Sequence, residues 1–114
     1  MRASVYLSGP VTGYDPETTH KLFQQAEAEI RELGLNVVNP LKIVNNPDTP
    51  WPVAMKQCIR VMLECHFIYM LPGWENSKGA RAEKELAMLL EIHEIKLPNS
   101  NQELCNLYNQ SKNE

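Results

Sequence analysis

The sequence has little of what several classes of protein require. Its three cysteines, Cys58, Cys65 and Cys105, are odd in number and form no CxxC pair, which argues against a disulfide framework or a zinc site. Acidic residues outnumber basic ones by 14 to 11, and a net charge of −3 is unsuited to binding polymeric nucleic acid. No apolar run approaches the ~18 residues of a membrane span, and the N-terminus lacks a secretory pattern. We therefore expect a cytoplasmic protein that binds neither membranes nor polymeric nucleic acid.

What the sequence does contain is a regular alternation of two hydrophobic patterns. Its 114 residues, 43% of them hydrophobic, suit one globular domain and are too few for two. Short β-prone runs at 4–7, 35–38, 67–71 and 94–97 alternate with helical periodicity at 16–33, 50–63 and 77–93. This alternation predicts a parallel α/β sheet over residues 1–97. Residues 98–114 form a tail in which a capping-box pattern predicts a short helix.

Ligands of parallel α/β sheets bind beyond the carboxyl ends of the strands. Three connecting segments are expected at that edge, residues 8–15, 39–50 and 72–78, with 41–50 read as a loop. A candidate active site would be built from these segments.

The helix predicted at 77–93 carries one residue that does not fit its buried face. At about 100° per residue, the core-facing arc contains Ala80, Glu83, Leu86, Ala87 and Leu90. A carboxylate on such an arc costs free energy unless it is hydrogen-bonded or paired. Glu83 therefore fits either a nucleophile or general base at a cleft, or an ion pair with a neighbouring loop or subunit.

Other candidate residues surround the same edge, and each has a structural alternative. Ser77 and Gly79 suit an anion site at a helix N-terminus, or simply an N-cap and a tight turn. Tyr6 ends the first strand, where its hydroxyl reaches the cleft or its ring packs under a helix. Trp51 and Trp74 fit either stacking on a base or filling space between a loop and a helix.

Three stretches resemble a known family: "VYLSGPVTG", "LGLNVVNP" and "MLPGWENSKGARAE". They are similar to DUF4406, a small phage and bacterial domain of the nucleoside 2-deoxyribosyltransferase-like superfamily. The resemblance covers about residues 3–97. It implies a flavodoxin-like three-layer sandwich with a four- or five-stranded parallel sheet, a homodimer, and no metal or organic cofactor.

The resemblance also implies an activity and a set of site residues. Glu83 would attack the anomeric carbon of a 2′-deoxynucleoside or its 5′-monophosphate, and Tyr6 would orient it. The glycosyl-enzyme ester would then be hydrolysed or transferred to a second base. A serine at Ser77 favours a monophosphate. The residues that the resemblance assigns to substrate binding are Ser8, Gly9, Pro10, Trp74, Ser77 and Gly79.

Two positions depart from the pattern of the superfamily. Cys58 and His66 replace aspartates, and the first of those aspartates helps to protonate the leaving base. A thiol is a poor general acid near neutral pH, and His66 would serve only if its strand end faced the cleft. Three alternatives therefore stay open: a non-catalytic nucleotide-binding module, a ribosyl hydrolase acting on ribonucleotides or NAD-type dinucleotides, and a phage accessory protein that serves assembly.

Overall fold

A four-stranded parallel sheet forms the centre of the protein in the computed structural model, which describes residues 2–11, 13–44, 46 and 48–97. The strands, in the spatial order β2-β1-β3-β4, are β1 (Ser4–Ser8), β2 (Asn36–Val38), β3 (Phe67–Met70) and β4 (His93–Glu94). The helices are α1 (Pro16–Glu32), α2 (Pro40–Ile43), α3 (Trp51–Met62) and α4 (Lys78–Leu89), with a 3₁₀ turn at Trp74–Asn76. Helix α1 covers one face of the sheet, and α3 and α4 cover the other. The predicted parallel α/β architecture is confirmed, and its layers are compatible with a flavodoxin-like fold.

Strand β1 divides its side chains between the two faces of the sheet. Val5 and Leu7 belong to the core under α1, whereas Tyr6 belongs to the core under α3 and α4. Successive strand residues point to opposite faces, so Ser8 lies on the same face as Tyr6. This period of two brings two hydroxyl groups to the α4 side at the carboxyl end of β1.

Two helices begin with the same local signal. Asp15 caps α1 by accepting a hydrogen bond from the backbone N–H of Thr18 at 2.9 Å, and Pro16 takes the first helical position. Asn39 does the same for α2, accepting from the N–H of Leu41 at 3.0 Å before Pro40. The prediction of a loop throughout 41–50 was therefore wrong for its first residues, because the Asn-Pro pair starts a helix rather than only ending a strand.

The C-terminal end of α4 also differs from the prediction. The helix ends at Leu89 instead of continuing to about residue 93, and Glu91 takes a left-handed backbone conformation with φ of 60°. Leu90 is consequently 52% exposed and does not join the buried arc. A glycine usually marks this kind of helix end, and none is present here, so the periodic pattern hides it. Strand β4 accordingly begins at His93.

Helical periodicity predicts that Trp51, Met55, Ile59, Met62 and Leu63 share one face of α3, but the buried face is narrower than this. Cys58 and Met62 face the core, whereas Trp51 and Leu63 are 42% and 49% exposed. The first turn of α3 lies at the edge of a cleft and not over the sheet, which leaves Trp51 partly in solvent.

The predicted helix within residues 98–114 lies outside the described residues. Among the residues that are described, no helix combines the length and the apolar character needed to cross a membrane.

A buried carboxylate ties α1 to the segment that contains α2. Glu27 accepts hydrogen bonds from Arg31 Nε at 2.9 Å, Asn39 Nδ2 at 3.2 Å and Lys42 Nζ at 3.1 Å. Burial alone raises the pKa of Glu27, but these three donors outweigh it and hold the pKa below its usual value. The cluster anchors α2 against α1, close to the carboxyl edge of the sheet.

Substituting Glu27→Gln is expected to lower the free energy of unfolding by about 1–3 kcal/mol at pH 7, because the amide replaces one of the two acceptor oxygens with a donor and removes the charge that pairs with Arg31 and Lys42. The unfolded-state pKa of glutamate is about 4.3, and the folded value lies below it. The contribution is therefore complete above the unfolded value and is lost as the pH falls through the folded value. Urea unfolding at pH 7 and pH 3 measures it. Glu32→Gln, at an exposed position of α1, is the control, and an equal loss at both pH values would contradict the assignment.

Candidate active site

Helix α4 carries Glu83 to the carboxyl end of β1. Ser77 caps the helix by accepting from the backbone N–H of Ala80 at 3.2 Å, which sets the phase of the turns that follow. Ala80, Glu83 and Ala87 then face the sheet and are buried. Glu83 is only 5% exposed. The carboxylate predicted on the core-facing arc is therefore on that arc.

Two hydroxyl groups of β1 hold this carboxylate. Tyr6 Oη donates to Glu83 Oε2 at 2.7 Å, and Ser8 Oγ donates to Glu83 Oε1 at 2.7 Å. Each carboxylate oxygen thus has a short, buried donor of its own, and hydrogen bonds to a charged acceptor are stronger than those between neutral groups. The side chain is fixed in orientation as well as in position.

Burial and hydrogen bonding act on Glu83 in opposite directions. Burial raises the pKa of Glu83, and the hydrogen bonds from Ser8 and Tyr6 lower it in part, so the pKa stays above the usual value. Burial and the neighbouring Glu83 charge raise the pKa of Tyr6 far above its usual value. Tyr6 therefore keeps its proton and acts as a donor, while Glu83 becomes more basic than an exposed glutamate.

A cavity of about 310 Å³ opens beside this carboxylate. All three segments that the sequence predicts at the carboxyl edge contribute to it, together with the first two turns of α3 and of α4. The described residues that line it are Tyr6, Gly9, Val11, Pro40, Leu41, Val44, Asn46, Thr49, Trp51, Ala54, Met55, Cys58, Ser77, Gly79, Ala80 and Glu83. The cavity is mainly apolar, with a few convergent polar groups, as ligand sites usually are.

The structure brings most of the predicted site residues to this cavity. The predicted residues that line it are Glu83, Tyr6, Gly9, Ser77 and Gly79. Ser8 is 1% exposed and contacts the carboxylate instead of the cavity. Pro10 and Trp74 are absent from the described lining. The Trp74 ring packs against the core under α3 and α4 and carries the Lys84 ammonium 4.1 Å from its centroid.

Packing within the protein restricts both glycines of the site, Gly9 more strictly than Gly79. A Cβ atom on Gly9 would lie 2.8 Å from Leu71 Cβ, a distance that real contacts do not reach. A Cβ atom on Gly79 would lie 3.1 Å from Met55 Sδ. Gly9 therefore lets the loop after β1 approach the end of β3, and Gly79 lets α4 approach α3 closely.

The sequence placed residues 39–50 at this edge but did not single out the apolar side chains that form one wall of the cavity. That wall comes from the α2 segment, with Pro40, Leu41 and Val44, and from Met55 of α3. Apolar residues in an irregular segment carry no periodic pattern. The Asn39-Pro40 pair was the available indication, because it predicts a helix start that turns the chain back over the strand ends.

Cys58 and His66 lie in different places relative to the cavity. Cys58 lines it, and burial raises the pKa of its thiol, opposed by a hydrogen bond with Tyr6 and reinforced by the Glu83 charge. His66 precedes β3, and its Nδ1 accepts from the backbone N–H of Ser4 at 3.1 Å. It therefore lies at the amino edge of the sheet, away from the cleft. Within the described ranges, no three histidine, cysteine or acidic side chains form a metal-binding cluster.

A family model, described as domain of unknown function DUF4406, matches residues 3–95. The chain belongs to the DUF4406 family. No curated protein and no solved structure matches the chain. In this DUF4406 domain, the matched region includes Glu83, both of its hydroxyl donors and the α2 wall.

Replacing Glu83 with the isosteric glutamine is expected to raise the melting temperature at pH 7–8, because the native state then no longer holds a buried charge. The folded pKa of Glu83 is raised, and below the unfolded value of about 4.3 the side chain is neutral in both states. The stability gain should therefore be small near pH 4 and grow as the pH rises through the folded pKa. Thermal unfolding across pH 4–8 measures it. Glu85→Gln, on the exposed face of α4, should show no such trend, and a Glu83→Gln protein that is destabilised at pH 8 would refute the interpretation.

Proposed function

We propose that this protein is an N-glycosidase or deoxyribosyltransferase that acts on 2′-deoxynucleosides or their 5′-monophosphates through a covalent glycosyl-glutamate intermediate. The observation that supports this most directly is the buried Glu83 carboxylate, which lines the cavity with each oxygen held by one hydroxyl group. A nucleophile for glycosyl transfer has to be ionised, rigidly held and basic. The two hydrogen bonds favour the ionised form of Glu83 and fix its orientation, and burial raises its basicity above that of an exposed glutamate.

The proposed reaction has two steps. In the first, a Glu83 oxygen attacks the anomeric carbon while the bond to the base breaks through an oxocarbenium-like transition state. The negative charge of the carboxylate stabilises the developing positive charge of the sugar. In the second, water hydrolyses the ester, or another base accepts the sugar. Tyr6 and Ser8 keep the carboxylate in place during both steps.

The size of the cavity bears on the class of ligand. At about 310 Å³, it is at the low end of the roughly 300–1,000 Å³ usual for small-molecule sites. This supports a single nucleoside unit over an NAD-type dinucleotide. Ser77 lines the cavity, and the ammonium of the neighbouring Lys78 lies 4.7 Å from the Trp51 ring centroid at its edge. A 5′-phosphate at that edge would meet both a hydroxyl group and a positive charge.

A non-catalytic nucleotide-binding module is the second candidate. By the resemblance, Cys58 stands where many relatives have an aspartate, and burial raises the pKa of its thiol. His66 contacts the start of β1, at the other edge of the sheet. If neither group protonates a leaving base, a bound nucleotide would not be turned over.

We also propose, as the resemblance implies, that the protein forms a homodimer and requires neither a metal nor an organic cofactor. Sedimentation velocity measures the oligomeric state. Assays with and without a chelator test the requirement for metal.

The deciding experiment is incubation with a panel of 2′-deoxynucleosides and their 5′-monophosphates, followed by chromatography of the free base. We expect release by the native protein and a loss of at least about 10³-fold with Glu83→Gln, because the nucleophile is gone. Glu85→Gln should retain the native rate. Intact-protein mass spectrometry after an acid quench should show an adduct with the mass of the deoxyribosyl group. Nucleotide binding without release by the native protein would favour the second candidate.

Removing the Tyr6 hydroxyl group tests how Glu83 is held. Tyr6→Phe removes one hydrogen bond to a charged group, worth about 1.5–3 kcal/mol, so kcat/KM is expected to fall by about 10- to 100-fold. The loss should appear in kcat with little change in KM, because the hydroxyl group acts on the nucleophile. Steady-state kinetics measures both. A change confined to KM would instead assign Tyr6 to substrate binding.

A further inference from the structure

The cavity raises the question of how a leaving base would receive a proton. A neutral purine or pyrimidine is a poor leaving group, because it departs from the sugar as an anion unless one of its ring nitrogens is protonated. A general acid that supplies this proton typically raises the rate by about 10²–10⁴-fold. An effective general acid has a pKa near the working pH. The groups beside Glu83 therefore determine which leaving groups are suitable.

Within the described part of the chain, three titratable side chains line the cavity: Tyr6, Cys58 and Glu83. The Tyr6 proton is directed at Glu83 Oε2 at 2.7 Å, and burial and the Glu83 charge hold it there. The Cys58 thiol is buried beside the same two groups, and burial raises its pKa. Both groups thus keep their protons at neutral pH and are weak acids.

His66 is of the residue type most often used as a general acid, but it lies at the wrong edge of the sheet. Its Nδ1 contacts the backbone N–H of Ser4, whereas the Glu83 carboxylate contacts Ser8, four residues further along β1. At about 3.3 Å per residue, these positions are about 13 Å apart. His66 therefore does not reach a base bound beside Glu83.

The charge of the cavity is suited to a cation. Glu83 places a carboxylate among apolar walls that include Val44 and Met55, and a low-dielectric surrounding strengthens its attraction for positive charge. Trp51 adds an aromatic side chain to the lining. One face of its ring already accepts the Lys78 ammonium at 4.7 Å, as cation–π contact allows.

We propose that the substrate is an N-glycoside whose base is already cationic, with a quaternised ring nitrogen such as that of an N7-alkylated purine or a pyridinium. The inference rests on the proposed function and narrows its substrate class. A Glu83 oxygen forms the bond to C1′ while the C1′–N bond breaks. The electron pair of that bond moves onto the base and neutralises its positive charge, so the base leaves without needing a proton. Water then attacks C1′ of the ester, which releases the free sugar and one proton and restores the carboxylate.

A matched pair of nucleosides tests the proposal: 2′-deoxyguanosine and 7-methyl-2′-deoxyguanosine at pH 6. They share a sugar and differ by one methyl group, which places a positive charge on the leaving base. Because the methylated compound is also more labile in water, kcat/KM is divided by the uncatalysed rate of each compound, and Glu83→Gln serves as the control protein. We define the rate enhancement as this ratio of kcat/KM to the uncatalysed rate. For the native protein, we expect the rate enhancement with 7-methyl-2′-deoxyguanosine to be at least equal to that with 2′-deoxyguanosine.

The outcomes separate the inference from the function on which it rests. If a general acid operates, the enhancement for 2′-deoxyguanosine will exceed that for the methylated compound by about 10²-fold or more. That result would retain the glycosidase and overturn the cationic substrate. Release from neither compound, when the panel of nucleosides and monophosphates does yield free base, would overturn the cationic substrate alone. Release from no compound in either set would overturn both proposals.

A binding measurement tests the electrostatic basis without turnover. N1-methylnicotinamide is a pyridinium cation without a glycosidic bond, and nicotinamide is its neutral counterpart. We expect the cation to raise the melting temperature of the native protein more than nicotinamide does, and this difference to disappear in Glu83→Gln. Equal shifts by the two compounds in the native protein would overturn the inference.

Discussion

The buried Glu83 carboxylate is the constraint on which the arrangement of the cleft depends. A charged group at this depth is tolerated only where hydrogen bonds replace water, and here β1 supplies two, from Tyr6 and Ser8. The alternation of a strand places residues 6 and 8 on one face, and a helix must then present its second turn to that face. The position of α4 against β1 and the identities of these three residues therefore depend on each other.

Two small residues allow the segments around that contact to pack closely. Gly79 allows α4 to approach Met55 of α3, and Gly9 allows the loop after β1 to pass Leu71 at the end of β3. On the far side, the cluster around Glu27 anchors the α2 wall to α1. The segments that bound the cavity are therefore held by separate contacts with the sheet and with α1, which suits a site that has to hold a nucleophile at a defined distance from its ligand.

The layers of this fold and the residue at the centre of its site could be predicted from the sequence for a clear physical reason. Strand and helix periodicities are local properties, and the misplacement of Glu83 on an apolar arc is visible within one helix. The reasoning failed where structure depends on non-local packing or on unusual backbone conformations. Glu91 ends α4 without a glycine, the exposure of Trp51 depends on a cleft edge that no single helix reveals, and the second donor to Glu83 became evident only from the sheet.

The distribution of charge gives the cleft a polarity along α4. Lys78 begins the helix beside Trp51, and Glu83 lies five residues later, about 7.5 Å along the axis. The positive charge is therefore at the solvent-facing edge and the negative charge is buried, where the lower dielectric strengthens its interactions. A nucleotide with an anionic 5′-phosphate and a cationic base would meet a complementary charge at each end. A neutral nucleoside would gain from neither, so the polarity that orients the proposed substrate would also discriminate against its commoner relatives.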